Sequence, residues 1–198
     1  MIDAFRLADL ATQPRFLLPI LFPVMAYLGW RWDGGGRLRN HLLAVLGIDV
    51  VGSLLATVLE SQPIDGSLVN ALQGVALLVV AVIMYTVWRR FDWSPLVQGW
   101  ALVAAVSIVA WLPARTVFTL SGGVIVPTAT LLYLATQRRV LAVLLPIPAL
   151  RVVVSVMREG YGVFDVLAAL CLAVGVVAFV LIGWSADADR MLAVSVRH

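Results

Sequence analysis

The chain has 198 residues, of which 62% are hydrophobic and 13% charged, with a mean hydropathy of +1.01 and a formal net charge of +3. Soluble domains contain about 45–50% apolar and about 25% charged residues, so this composition excludes an ordinary soluble domain and predicts a polytopic membrane protein. The basic residues are all arginines and form no cluster with interleaved aromatics, which excludes lysine Schiff-base chemistry and argues against nucleic-acid binding.

Seven apolar segments follow one another along the chain. The first, at 16–30, is short and contains Pro19 and Pro23, so it either spans the membrane or forms a re-entrant or interfacial element. Before it, residues 1–15 mix apolar and charged side chains, which suits an interfacial helix or a frayed tail. The six later segments, each about the length that a hydrocarbon core of about 30 Å requires, lie at 41–60, 68–88, 96–113, 116–136, 140–157 and 163–184. The sequence thus predicts a single membrane domain, an all-α bundle of six or seven transmembrane helices with short loops.

The arginines of the connections are distributed unevenly between the two predicted sides of the membrane. Nine fall on one side, which the positive-inside rule assigns to the cytoplasm: Arg31, Arg37, Arg39, Arg89, Arg90, Arg138, Arg139, Arg190 and Arg197. Tryptophans at the same segment ends, among them Trp32, Trp88 and Trp93, fit interfacial anchors. We therefore expect a protein of a prokaryotic cytoplasmic membrane with its C-terminus inside.

Two of the predicted helices carry polar stripes of opposite charge. Helical spacing at about 100° per residue sets the polar side chains of the second segment within about 80° of one another, and this acidic stripe consists of Asp49, Ser53, Thr57 and Glu60. The sixth segment carries a basic stripe, which consists of Arg151, Ser155 and Arg158. Together the two stripes are candidates for an ion or substrate pathway.

The charged residues of these stripes are predicted at similar depths. Asp49 lies ten residues past Arg39 and Arg151 twelve past Arg139, or about 15 Å and about 18 Å into the bilayer at the helical rise. Because an isolated charge near the bilayer centre costs roughly 2.5–3.5 kcal/mol, we expect Asp49 and Arg151 to pair in the bundle interior. Such a pair either belongs to a transport path or only fixes the register of the helices.

The fifth and sixth segments contain residues that interrupt helices. The fifth has a glycine pair and Pro127, and the sixth has Pro146 and Pro148, so that Arg151 could alternatively snorkel from a broken helix. Interrupted helices often border transporter binding sites, although small residues also serve close helix packing. Candidate cavity-lining residues are Asn70, Gln73, Ser121, Gly122 and Gly123.

Cofactor chemistry and catalysis are not expected from this chain. Cys171 is the only cysteine, and His41 and His198 form no metal-binding motif, so we predict no metal and no cofactor. No nucleophile and base are placed together by the spacing, which argues against an enzyme. The leading hypothesis is a transport-type protein that passes an ion or small solute past Asp49 and Arg151. The alternative is an accessory or assembly subunit whose partners are the bilayer and other membrane proteins or further copies of itself.

Overall fold

The computed structural model describes residues 14–34, 36–60, 66–116, 122–158 and 160–195, and within these ranges it contains helices and no strands. The prediction of an all-α membrane bundle is confirmed. In chain order the elements are α1 (Pro14–Asp33), α2 (Leu38–Glu60), α3 (Gly66–Arg90), α4 (Pro95–Ala114), α5 (Gly122–Gln137), a 3-10 helix (Arg139–Leu144), α6 (Pro146–Arg158) and α7 (Val163–Ser195).

Five stretches of the described chain are long and apolar enough to cross a membrane. They are Leu38–Leu55, Ala71–Arg90, Pro95–Ala114, Arg139–Met157 and Val163–Gly183, while Gly123–Gln137 is apolar but shorter. The first segment forms one continuous helix of 20 residues through both of its prolines, about 30 Å long by the helical rise. It is therefore longer than the predicted 16–30. The interfacial helix predicted at 1–15 falls almost entirely outside the described residues.

Helix α4 is the axis of the bundle and packs against α1, α3, α5 and α7. Of the residues in its apolar membrane-spanning stretch, 61% are buried, against 17% in the corresponding stretch of α2. Helix α2 packs on α1 and α3. The start of α4 is encoded locally, because the Ser94 hydroxyl accepts a hydrogen bond from the Val97 backbone N–H and Pro95 occupies the first turn. Ser94 and Pro95 therefore fix where the central helix begins.

Glycines let the neighbouring helices come close to α4. A Cβ at Gly99 would lie 1.8 Å from the Tyr133 Oη of α5, and a Cβ at Gly29 of α1 would lie 2.6 Å from the Val97 side chain. Both positions lie near the end of the bundle where α4 begins. Close approach of α1 and α5 to α4 brings the polar ends of all three helices together there.

The interruption predicted in the sixth segment is confirmed. A 3-10 helix over Arg139–Leu144 is followed by a turn at Leu145, and α6 begins at Pro146, where the missing backbone N–H has no partner to lose. In the fifth segment, α5 begins at Gly122 and continues through Pro127 to Gln137. The glycine pair lies in the first turn of that helix, and residues 117–121, which precede it, lie outside the described residues.

The contact between Gly99 and Tyr133 gives a prediction about stability. Gly99→Ala should lower the free energy of unfolding in detergent by about 1–3 kcal/mol, because buried Tyr133 has little room to move away from a new methyl group. The matched control is Gly175→Ala in α7, where a Cβ would meet no atom within 4 Å. We expect that substitution to be neutral or to stabilise by up to about 1 kcal/mol. Equal effects of the two substitutions would contradict the packing described for α4 and α5.

Candidate functional site

The acidic stripe of α2 begins beside the packed face of the helix and turns onto its exposed face. Val45 and Ile48 are buried, Asp49 is half-buried, and Ser53 and Thr57 are exposed. The Thr57 hydroxyl donates a hydrogen bond of 2.8 Å to the Ser53 carbonyl oxygen of its own helix. The Glu60 side chain lies outside the description. The stripe is therefore at the edge of the bundle and does not line its interior.

The basic stripe of α6 lies inside the bundle. The side chains of Arg151 and Ser155 are buried, with exposed fractions of 7% and 0%, and α6 packs on α5 and α7. The Arg158 side chain lies outside the description. In the basic stripe, Arg151 and Ser155 have the interior position that was predicted, whereas Ser53 and Thr57 of the acidic stripe are exposed.

The structure does not bring Asp49 and Arg151 together among the described contacts. Their helices pack on different neighbours, α2 on α1 and α3, and α6 on α5 and α7. An ion pair of 3.4 Å joins Arg138 and Asp33. This difference from the expected pairing has a physical reason: depth along a helix fixes the level of a side chain in the membrane, but it says nothing about which helices are neighbours around the bundle.

The predicted cavity-lining residues do not form one described site. Gln73 and Gly123 are half-buried in different helices, Gly122 begins α5, Ser121 falls outside the described residues, and the side chain of Asn70 is outside the description. The cavities described for the bundle are lined by other residues. The role of these five residues stays a prediction.

A different polar cluster forms where the first, fourth and fifth helices come together. The Asp33 carboxylate at the end of α1 accepts hydrogen bonds from the Ser94 hydroxyl at 2.5 Å and from the Leu96 backbone N–H at 3.4 Å, at the start of α4. Its other oxygen accepts a bond of 3.4 Å from Arg138 Nη2, after α5. One carboxylate thus joins three helix ends, and its negative charge is favourable at the N-terminus of α4.

Arg138 is the more exposed member of this cluster. Its side chain is 47% exposed, against 18% for Asp33, and its guanidinium carbon lies 5.5 Å from the centre of the Trp32 ring. An ion pair that is this exposed contributes about 0–1 kcal/mol. The geometry therefore positions the guanidinium group without burying it.

An aromatic cluster closes the same end of the bundle. His41 at the start of α2 is fully buried, stacks on Trp93 at 4.1 Å and meets Trp88 edge to face at 5.8 Å. The Gln98 amide donates a bond of 2.7 Å to the Trp93 carbonyl oxygen, which fixes the turn between α3 and α4. Trp88 and Trp93, predicted to be interfacial anchors, are buried and pack the helix ends together. We call this region, which includes the connections after α1, α3 and α5, the arginine-rich end.

An open cleft of about 430 Å³ lies at the arginine-rich end, beside the Asp33 carboxylate. Its apolar wall comes from α4 and α7 and its polar groups from the ends of α1 and α5. The lining residues are Asp33, Pro95, Leu96, Tyr133, Gln137, Arg138 and Leu181. Within the described ranges, no three His, Cys, Asp or Glu side chains are grouped as ligands for a metal ion.

Sequence reasoning missed this cluster, although part of its signal is visible. The dipeptide Ser94-Pro95 is a helix-start signature, and Asp33 is an acid among the arginines of one predicted side. The partners of Asp33 lie 61 and 105 residues further along the chain. No local pattern links residues at such separations.

The comparisons with known proteins add no family to this description. No model of a protein family matches the chain, and no curated protein and no solved structure matches it either. Function is therefore inferred from the geometry of the side chains.

The separation of α2 from α6 can be tested by a double-mutant cycle. Asp49→Asn and Arg151→Gln should change the free energy of unfolding additively, within about 0.3–0.5 kcal/mol, because the two residues lie on helices with different neighbours. Chemical unfolding of the two single variants and the double variant in detergent measures the coupling. A coupling energy above about 1 kcal/mol would show that the two side chains interact directly.

Proposed function

We infer that this protein is a non-catalytic subunit that assembles with a different membrane protein through the acidic stripe of α2. The observation that carries the proposal is the position of Asp49, a half-buried carboxylate at the edge of an otherwise apolar surface within a candidate membrane span.

The surroundings of Asp49 make a partner energetically favourable. Asp49 is the twelfth of the 23 residues of α2, so it lies about 16 Å from either end of the helix. Around it Leu46, Val50 and Leu54 are 57–61% exposed, which is the pattern of a helix surface that faces lipid. A charge at the centre of a bilayer costs roughly 2.5–3.5 kcal/mol on insertion scales. A partner that pairs with the carboxylate would offset part of that cost.

The hydrogen bonds within the acidic stripe indicate which of its side chains requires a bond from a partner. The Thr57 hydroxyl already donates to the backbone of its own helix, so it can face lipid without a further bond. Asp49 receives no such bond from the described part of α2. The carboxylate is therefore the specific element, and the small side chain of Ser53 allows a second helix to come close.

Charge complementarity favours a different protein over a second copy. Among the described arginines, Arg151 lies within a candidate span and away from its ends. The bundle itself buries this side chain. Among its described residues, a second copy would thus offer Asp49 no exposed cation at a comparable depth. The occupant we propose is a transmembrane helix that carries a basic side chain near its midpoint.

A transport function is the second candidate, and one observation favours it. Arg151 and Ser155 are buried on a segment that is interrupted at Leu145, as expected for an interior contact with an anion. Purified protein in liposomes separates the two functions. The assembly proposal expects no solute flux from the chain alone, whereas an anion flux that Arg151→Gln abolishes in a folded protein would favour transport.

Site-specific photo-cross-linking in native membranes tests the assembly proposal. A benzophenone amino acid at position 53 should form an adduct with one other membrane protein, and peptide sequencing should find a basic residue within its span. Asp49→Leu should reduce the adduct at least about tenfold, since a paired charge at this depth contributes more than about 1.4 kcal/mol. The control position is Phe179 of α7, which is 70% exposed and lies in an apolar surface.

The fold of the Asp49→Leu variant is checked in the same material. Its free energy of unfolding should match that of the unsubstituted chain within about 0.5 kcal/mol, or exceed it, because the substitution removes a charge from a lipid-facing edge. Adducts at position 53 with lipid alone, with a second copy alone, or at a yield that Asp49→Leu leaves unchanged would overturn the proposal.

A further inference from the structure

We propose that the cleft beside Asp33 and Arg138 binds a phosphate group, which a lipid headgroup at the membrane surface would supply. This inference is independent of the assembly proposal. It concerns a cation, Arg138, that binds an anion, and it involves different helices from the Asp49 carboxylate of α2.

The Arg138 side chain is held in position before any ligand arrives. One of its five N–H donors is used in the described bond to Asp33, and the Trp32 ring lies beneath the guanidinium group at 5.5 Å. The side chain is nevertheless 47% exposed, so other N–H groups face the cleft or solvent. A planar guanidinium with two open donors matches the geometry of a phosphate, which it binds with two parallel hydrogen bonds.

The Asp33 carboxylate does not prevent anion binding. Both of its oxygens accept hydrogen bonds from protein donors, and its side chain is 18% exposed. The charge presented to solvent at the rim is therefore that of the guanidinium. Arg139, the next residue, is exposed and adds a second positive charge. Gln137 is also exposed, and its amide is a further donor at the same rim.

The shape of the cleft favours an amphiphilic source of the phosphate. A volume of about 430 Å³ falls in the usual range of small-molecule sites. Pro95, Leu96 and Leu181 form an apolar wall, while the polar groups lie at helix ends. Basic pockets between transmembrane helices at this level are typical sites for phospholipid headgroups. A phospholipid would set its phosphate at Arg138 and the first part of its acyl chains against Leu96 and Leu181.

Binding is measured on the purified full-length chain by native mass spectrometry and by thermal unfolding. The probes are phosphatidylglycerol in a phosphatidylcholine background and, separately, inorganic phosphate. The unsubstituted chain should retain phosphatidylglycerol and unfold at a higher temperature in its presence. Arg138→Gln should weaken this binding about tenfold or more, since a hydrogen bond to a charged group is worth roughly 1.5–3 kcal/mol. Arg138→Lys, which keeps the charge but loses the two-pronged geometry, should fall between the two.

The matched control is Arg139→Gln, which removes an exposed neighbouring charge and should change affinity less than about threefold by loss of screened attraction. Unfolding in phosphatidylcholine alone verifies that each variant folds. Competition by inorganic phosphate would support the same site with a soluble anion as a second source. Equal loss of binding in Arg138→Gln and Arg139→Gln, or no binding of either probe by the unsubstituted chain, would overturn the proposal.

Discussion

One carboxylate, that of Asp33, joins the ends of three helices and sets the geometry of the arginine-rich end. It accepts from the hydroxyl and a backbone N–H at the start of α4, and from Arg138 after α5. Because α4 is the most buried of the five candidate spans, fixing its start also fixes the level of the helices that pack on it. The position of the guanidinium group, and hence the cleft beside it, depends on the same carboxylate.

The two polar stripes within the membrane end up in different physical situations. The basic stripe, with Arg151 and Ser155, is enclosed by the helices around α6. The acidic stripe of α2 lies at the margin of the bundle, among leucine and valine side chains that are more than half exposed. Lipid offers no hydrogen bonds, so a carboxylate at that margin is better satisfied by another protein. This asymmetry is what favours assembly over an interior route that needs both charges.

The sequence predicted the helices well because the signals for them are local. The second segment was expected at 41–60 and α2 occupies Leu38–Glu60, and the prolines at 146 and 148 mark the real interruption before α6. What it missed depends on contacts around the bundle. Equal depth suggested that Asp49 meets Arg151, but their helices have different neighbours. The partners of Asp33 lie 61 and 105 residues away, where periodicity carries no information.

The central role of Asp33 is tested most directly by comparing Asp33→Asn with Asp92→Asn in a detergent unfolding titration. Both changes remove one negative charge, but Asp92 is exposed in the turn between α3 and α4, with a positive φ of 51° that asparagine also adopts readily. We expect Asp33→Asn to lower the free energy of unfolding by about 1–3 kcal/mol and Asp92→Asn to change it by less than about 0.5 kcal/mol. Equal stability of the two variants would contradict the claim that the Asp33 carboxylate holds the three helix ends together.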